Sequence, residues 1–187
     1  MNVDVRVKLG NAAGIDTVEF PNLPTADASQ DGGVNFQVEL VLSNRQDAGV
    51  TFVGGVGIFG RTHKGNTNPL LFPTTSIEYD AGGLSGTAGI GIKSNENLHF
   101  EGRVELDLGA GKPHNAPYSV DDDGYAALEL IFGGYYTFGK PGLQLGLELG
   151  VQSFTGEFQI WSFPGYWADG KVKGSGGIAN LVVGCRF

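Results

Sequence analysis

The chain has 187 residues and a net charge of −8, and it shows no basic stripe of the kind that binds nucleic acid. Its single cysteine excludes an internal disulfide framework, and no apolar run reaches the roughly 18 residues of a membrane-spanning helix. The 32 glycines follow no triplet repeat and are mixed with aromatic and β-branched residues, which excludes collagen and argues against a disordered linker.

In chain order, the sequence contains eight segments in which apolar and polar residues alternate. A period of two is typical of β-strands with two unlike faces. The opening residues, MNVDVRVKLG, already follow this pattern and do not look like a signal peptide, so we interpret the chain as a mature, exported protein. We expect one domain over residues 1–187. The eight segments span residues 3–9, 34–42, 50–61, 84–93, 98–111, 124–139, 143–151 and 177–187.

The connections between these segments alternate in length. Short connections with turn-forming compositions cover residues 43–49, 94–97 and 139–142. Short turns at one end and long loops at the other are typical of an outer-membrane barrel, and an even number of strands places both chain termini beside the short turns. The SIEYDAG and GEFQIWSF stretches within the long connections still look partly like strands. The long connections cover roughly 10–33, 62–76, 112–123 and 155–171.

The leucine-rich face of each segment points either into a soluble barrel or outward into lipid. The opposite face combines a nearly balanced set of charges with glycines such as Gly55, Gly89 and Gly146. Glycine weakens a water-facing strand, whereas inside a narrow eight-stranded barrel it leaves room for larger side chains opposite. We therefore expect a lipid-facing apolar surface and a closed lumen in which charges pair. The predicted lumen ion network comprises Arg6, Lys8, Glu39, Arg61, Lys93, Glu101, Arg103, Glu105, Asp107, Glu129, Glu148 and Arg186.

Aromatic residues support the lipid-facing orientation. If the short turns face the periplasm, five aromatic residues of the apolar face share a level near that end. Aromatic rings favour the boundary between lipid and water, so we predict a periplasmic aromatic girdle. Its members are Phe52, Phe100, Tyr136, Phe138 and Phe187, and candidates for the opposite rim are Phe36, Phe154, Trp161 and Trp167.

The chain ends in ANLVVGCRF, with an apolar residue at every second position before Phe187. Ile178 and Val182 fall on the inward face and are exceptions to a purely polar lumen. This ending resembles the C-terminal signal of bacterial outer-membrane barrels, and the whole chain resembles the small eight-stranded outer-membrane proteins of the A and X type. The resemblance implies an all-β, eight-stranded antiparallel up-and-down transmembrane barrel with short periplasmic turns and long extracellular loops. It also implies the bacterial outer membrane as the location and barrel-assembly machinery as a partner of the last strand.

The sequence offers few candidate catalytic groups. His99 lies at a strand end, whereas His63 and His114 lie in long connections. His114, Ser119 and Asp121 can be combined on paper as base, nucleophile and orienting acid. Lipid A deacylase barrels differ, because their histidine and serine lie close together on one strand. We therefore predict that the protein is not an enzyme.

The sequence also contains candidate metal ligands and basic residues that could meet anions. The acidic stretch Asp121–Asp123 offers oxygen ligands but lacks the spacing of a calcium loop, and no cysteine–histidine set has zinc spacing. We predict no metal and no cofactor. Several basic residues at or above the outer rim either contact lipopolysaccharide phosphates or are ordinary solvated charges. These residues are Arg61, His63, Lys64, Lys112, Lys171 and Lys173.

The sequence thus predicts an outer-membrane barrel that serves as a structural anchor, an adhesin or a docking protein for an envelope partner. Residues 11–33 and 155–170 are the predicted contact surfaces, with Trp161, Tyr166 and Trp167 as contact residues. Expected partners are membrane lipids and lipopolysaccharide, with no nucleic acid. The alternatives are a lipid A-modifying enzyme, a narrow channel for small solutes and a soluble ligand-binding barrel.

Overall fold

The computed structural model describes residues 1–20, 25–44, 49–67, 76–114, 120–139, 141–162 and 166–187, apart from the side chains of 120–122, 160–162 and 166–168. None of the described residues belongs to a helix that is long and apolar enough to cross a membrane. The β-strands of this part of the chain are β1 (Asn2–Ala12), β2 (Thr17–Glu19), β3 (Ala26–Ser43), β4 (Gly49–Thr67), β5 (Ser76–Lys93), β6 (Leu98–Pro113), β7 (Val120–Phe138), β8 (Gly142–Ser162) and β9 (Tyr166–Arg186).

The strands form one antiparallel sheet that closes into a ring. From β3 to β9, each strand pairs with the next one in the chain. β1 pairs with both β3 and β9 and closes the ring, and the short β2 continues the position of β1 between the same two neighbours. The wall therefore has eight strand positions, which confirms the predicted eight-stranded antiparallel up-and-down barrel.

Tight turns lie at one end of the barrel. Residues 94–97 link β5 to β6, and the Asn95 side-chain oxygen accepts hydrogen bonds from the backbone N–H groups of Asn97 and Leu98, at 2.9 and 2.8 Å. Gly139, after β7, has a φ of 81°, which an L side chain rarely adopts. Both chain termini lie at this end. We call it the turn end, and the opposite end, where residues 13–16 and the start of β9 lie, the loop end.

The strands extend towards the loop end beyond the length that crosses a bilayer. β8 and β9 have 21 residues each, whereas about 9–11 residues cross a bilayer. Most of the predicted long loop at 155–171 is thus a β-hairpin, in which only residues 163–165 separate the two strands. Residues 156–162 of the partly strand-like GEFQIWSF stretch lie in β8, because neighbouring strands continue to satisfy each other's backbone hydrogen bonds above the membrane.

The two faces of the wall are chemically opposite. Leu84 and Leu147 are exposed on the outside, whereas Arg6 and Glu105 are fully buried inside. An exterior covered by large apolar side chains is stable when hydrocarbon surrounds it. The alternative of a soluble ligand-binding barrel is therefore wrong.

This arrangement reverses towards the loop end, as β8 illustrates. Val151 is an outward apolar residue, but Phe154 and Phe158, further along, are buried in the lumen. Thr155 and Glu157, which lie between these two phenylalanines, occupy outward positions. Polar residues therefore face outward and apolar residues face inward beyond Val151, as expected where water replaces lipid outside the wall.

Candidate functional site

The lumen is filled by side chains that form three groups of ions and, nearest the loop end, one apolar group. Each group combines side chains from three or more strands. The lower ion layer comprises Asp4, Arg6, Glu101 and Arg186, and the middle ion layer comprises Lys8, Glu39, Arg103 and Glu148. The upper ion layer comprises Arg61, Glu105, Asp107 and Glu129.

The lower ion layer is built around Arg6 of β1. Its Nη1 and Nη2 atoms donate to the two Glu101 carboxylate oxygens, both at 2.7 Å, and its guanidinium lies 4.2 Å above the Tyr135 ring. Arg186 of β9 donates to both oxygens of Asp4 at 2.7 Å. Paired N–H···O bonds of this kind fix the geometry of both partners. This layer therefore ties β1, β6 and β9 together across the lumen.

The middle ion layer is centred on Lys8. Its Nζ atom lies 2.7 Å from Glu39 Oε1 and 3.4 Å from Glu148 Oε2. Arg103 pairs with the same two carboxylates, at 3.2 Å to Glu39 Oε2 and in a closer contact with Glu148. The Tyr135 hydroxyl also donates to Glu148, at 2.5 Å. Two cations and two anions therefore balance in this layer.

The upper ion layer is unbalanced. Arg61 Nη1 lies 2.6 Å from Asp107 Oδ2 and 2.5 Å from Glu129 Oε1, and Arg61 Nη2 lies 3.8 Å from Glu105 Oε1. Oxygen atoms of the three carboxylates lie within 4.8 Å of one another. One guanidinium thus faces three carboxylates, although Lys8 Nζ also reaches Glu105 Oε2 at 3.0 Å.

An aromatic cluster closes the lumen above the ions. The Tyr79 hydroxyl donates to the Glu157 carbonyl oxygen at 3.0 Å, and its ring fits against Gly156, where an added Cβ would lie 2.5 Å from ring atom Cζ. The His63 ring stacks on Phe154 with 3.7 Å between ring centroids. The buried members of the cluster are Ile15, Phe59, Tyr79, Tyr125, Phe154 and Phe158, together with smaller apolar residues.

Residues 13–16, which we call the strap, fold into the barrel mouth. The Ile15 N–H donates to the Lys64 carbonyl oxygen of β4 and the Asp16 N–H to the Lys173 carbonyl oxygen of β9, both at 2.8 Å. His63 Nδ1 donates to the Ala13 carbonyl oxygen at 2.8 Å, and His63 Nε2 accepts from the Tyr125 hydroxyl at 2.9 Å. Part of the predicted contact surface at 11–33 is therefore wrong, because this segment is bound inside the barrel.

The predicted anion contacts need correction. Arg61 and His63 occupy alternate positions of β4 whose side chains point into the barrel, so they do not face lipid headgroups. The outward lysines are paired with acids, as in Lys64 with Glu78 at 2.8 Å. That hydrogen bond raises the pKa of the Lys64 ammonium group. Lys171 pairs with Glu157 at 2.7 Å and Lys173 with Glu19 at 2.8 Å, and Lys112 is exposed.

Of the predicted catalytic combination, only the His114 side chain lies among the described residues. His114 Nδ1 lies 2.9 Å from Asp80 Oδ2, and the Thr62 hydroxyl donates to the other oxygen of Asp80 at 2.7 Å. Ser119 and the side chain of Asp121 lie outside the described residues. The same holds for the side chain of Asp122 and for the predicted contact side chains Trp161, Tyr166 and Trp167.

The remaining predicted residues lie at different levels of the barrel. Lys93 is buried at the turn end, and the Nε2 atom of buried His99 lies 3.1 Å from Glu101 Oε1. Phe154, a candidate for the outer aromatic rim, points into the lumen instead because it lies at an inward-pointing position of β8. The five residues predicted for the aromatic girdle, Phe52, Phe100, Tyr136, Phe138 and Phe187, are all exposed on the outer face.

Sequence reasoning missed the neutral side chains that complete the ion layers. Gln37 Nε2 donates to Glu105 Oε1 at 2.6 Å, Gln152 Nε2 donates to Glu129 Oε1 at 2.7 Å, and Gln144 Oε1 accepts from Arg6 Nε at 2.9 Å. It also missed Phe59 and Tyr125 as inward residues. Strand parity was an available signal, since Phe59 lies two residues before Arg61 on β4.

Comparison with known proteins bears on the fold. No protein-family model matches the chain, and no curated protein matches it in sequence. The outer-membrane protein OprG from Pseudomonas aeruginosa superposes with a TM-score of 0.58 at 10% identity, over 100% of this chain and 95% of OprG. AlkL in lipid bilayers gives 0.48 at 15% identity over 98% and 90% of the two chains. Ail of Yersinia pestis, in complex with the heparin analogue sucrose octasulfate, gives 0.44 at 14% identity over 100% of both.

Three observations agree on a membrane-barrel fold: the closed ring of strands, the apolar exterior and the structural likeness to OprG. They also support the predicted location in the outer membrane. The chain has the fold of the small eight-stranded outer-membrane β-barrels.

Proposed function

We propose that this protein is a non-conducting outer-membrane barrel that anchors a docking surface on the cell exterior. The filled lumen is the observation that carries this proposal. The three ion layers and the aromatic cluster occupy the barrel interior in succession, and the strap lies across its mouth. A narrow channel for small solutes needs a continuous wet path, which this packing opposes.

The loop end is the part of the barrel that is suited to contacts. With short turns in the periplasm, the loop end faces the exterior, and its outward surface carries ion pairs such as Lys171–Glu157. Because the strap is bound inside, we assign docking or adhesion to the β8–β9 hairpin. This hairpin includes the predicted contact residues Trp161, Tyr166 and Trp167.

The proposed role does not include catalysis. The imidazole of His114 faces Asp80, and the lumen carboxylates are held by buried cations. We therefore place the lipid A-modifying alternative behind docking. Membrane lipids surround the barrel, whereas the lysines at the loop end that would meet lipopolysaccharide phosphates are largely paired with acids.

Planar-bilayer recording tests the closed lumen. We expect the purified barrel to give no channel openings under conditions in which a general porin, inserted into the same bilayers, conducts. Reproducible unitary steps from the barrel would contradict the proposal. Heat-dependent migration on gels confirms that the inserted protein is folded.

A pair of shortened barrels tests the docking role. In one, residues 157–171 are replaced by an Asn-Gly turn, which favours a tight hairpin between the paired residues Gly156 and Val172. In the matched control, residues 64–78 are replaced in the same way between His63 and Tyr79. Bacteria that display the intact barrel or the control should bind cultured epithelial cells, and bacteria with the shortened β8–β9 hairpin should not. Equal binding by all three strains would contradict a role for the hairpin.

A further inference from the structure

The upper ion layer contains more negative charge than its cations neutralise. Arg61 is the one cation that lies among Glu105, Asp107 and Glu129 in the described part of the barrel. Lys8 contributes to Glu105 but is shared with the two carboxylates of the middle layer. Three adjacent carboxylates around one guanidinium, all shielded from water, are unfavourable if all are ionised, because like charges repel strongly in such an environment.

The charge balance of the whole lumen points to the same excess. Among the described residues, the buried acids are Asp4, Glu39, Glu101, Glu105, Asp107, Glu129 and Glu148, and the buried lysines and arginines are Arg6, Lys8, Arg61, Lys93, Arg103 and Arg186. Seven acids thus face six bases. One additional positive charge makes the lumen neutral.

A proton fits this place better than a metal ion does. Arg61 Nη1 already lies between the oxygens of Asp107 and Glu129, at 2.6 and 2.5 Å, so the guanidinium occupies the position that a metal would need. A proton requires no such space. A protonated carboxyl can also donate a hydrogen bond to a neighbouring carboxylate, which turns a repulsive pair into an attractive one.

Of the three carboxylates in the upper ion layer, Asp107 has the fewest described hydrogen-bond donors and cations to stabilise a negative charge. Glu105 accepts from Gln37 and Lys8, and Glu129 accepts from Gln152. Among the described contacts of Asp107, the polar one is with Arg61, and this guanidinium is shared with both neighbours. Its cross-strand partners, Ser85 and Ala127, add no charge.

We propose that the upper ion layer retains one proton at neutral pH, that it resides mainly on Asp107, and that alkali removes it and weakens the barrel. The charged and titratable groups that face Asp107 are Arg61 of β4, Glu105 of β6, Glu129 and Tyr125 of β7, and Lys8 of β1. This proposal concerns the lumen and does not depend on the docking role.

The sign of the pH effect follows from proton binding. An unfolded aspartate releases its proton near pH 3.9, about the value of a free side chain. A folded barrel that keeps this proton binds more protons than the unfolded chain, so its free energy of unfolding decreases as the pH rises through the neutral range. Asp107→Asn mimics the protonated carboxyl in shape and charge and should remove this part of the pH dependence.

Infrared spectroscopy of the folded barrel in detergent tests the proposal directly. At neutral pH we expect the carbonyl stretching band of a protonated carboxyl group, which shifts when the protein is refolded in D2O. The band should be absent from Asp107→Asn and present in Glu157→Gln, a control at an exposed carboxylate outside the lumen. Absence of the band from the wild type, with or without a tightly bound metal ion, would overturn the proposal, and its persistence in Asp107→Asn would overturn the assignment to Asp107.

A second measurement does not require the variant to fold. As the wild type is titrated into alkali, the melting temperature followed by gel migration should decrease while the carboxyl band is present, and it should stop decreasing through this group once the band has disappeared. A melting temperature that stays constant while the band is present, or a band that persists throughout the alkaline titration, would overturn the link between this proton and stability.

Discussion

Tyr135 occupies space that exists because residue 146 is a glycine. A Cβ atom on Gly146 of β8 would lie 2.4 Å from ring atom Cδ1 of Tyr135, which is closer than real Cβ contacts allow. The ring placed there supports two ion layers, because it lies under the Arg6 guanidinium and its hydroxyl donates to Glu148. The smallest side chain in the wall thus permits one of the largest in the lumen.

Gly146→Ala should therefore destabilise the barrel. Overpacking a filled interior costs about 1–3 kcal/mol, because the ring and its partners must shift. Gly86→Ala is the matched control, since a Cβ on Gly86 meets no atom within 4 Å. Urea unfolding in detergent should show a lower midpoint for Gly146→Ala alone. Equal midpoints for the two variants would show that Tyr135 does not depend on this space.

Removal of a buried cation should affect stability far more than removal of an exposed one. Arg6→Met leaves Glu101 and Asp4 with an unneutralised buried charge, for which a loss of about 3–5 kcal/mol is typical. Lys173→Met breaks the exposed pair with Glu19 and should cost about 1 kcal/mol or less. Adding Glu101→Gln to Arg6→Met should restore part of the loss in chemical denaturation. No recovery in the double variant would argue against direct coupling between these two groups.

A charged side chain on the outer face should destabilise the folded barrel more, the deeper it lies in the bilayer. Leu147 lies midway along the outward apolar row of β8 that runs from Leu143 to Val151. Leu147→Arg should lose roughly 2–4 kcal/mol in lipid vesicles, and Leu143→Arg, near the turn end, about 0–1 kcal/mol. Folding equilibria in vesicles measure both variants. The same penalty at both positions would contradict the placement of the lipid layer.

The strap should be held by His63. His63→Leu removes the hydrogen bond to the Ala13 carbonyl oxygen while keeping an apolar side chain beside Phe154. We expect faster amide hydrogen exchange at Ile15 and Asp16, with the exchange of membrane-spanning amides unchanged. Thr62→Val, on the outward side of the same strand, serves as the control. Slow exchange of the strap amides in His63→Leu would show that the backbone bonds to β4 and β9 are sufficient.

Alternation in the sequence predicts the membrane-spanning part of the fold well. From Leu143 to Val151, every second residue is large and apolar, and a slip of one residue would place all of them in the lumen. This strong constraint fixes both the strand and its orientation. The same parity places Glu148 and its counterparts on other strands on the inward face, although it does not specify which acid pairs with which base.

The pattern becomes less informative above the membrane. Phe154 and Phe158 are as apolar as Leu149, yet they face inward, because the solvent outside the wall has changed from lipid to water. A rule that places every large apolar side chain of a strand on the outer face therefore predicts the wrong side for both. The strap has no periodicity at all, and its position depends on carbonyl groups of Lys64 and Lys173, which are distant in sequence.

The reversal of faces on β8 also sets the thickness of bilayer that suits this barrel. The outward apolar row from Leu143 to Val151 spans eight residue steps, about 27 Å of strand at 3.4 Å per step, or roughly 20 Å of height at a tilt near 40°. Bacterial outer membranes are thinner than average bilayers, whereas thicker plasma membranes would leave a hydrophobic mismatch at both rims. The length of one leucine-rich row therefore matches the barrel to a thin bilayer.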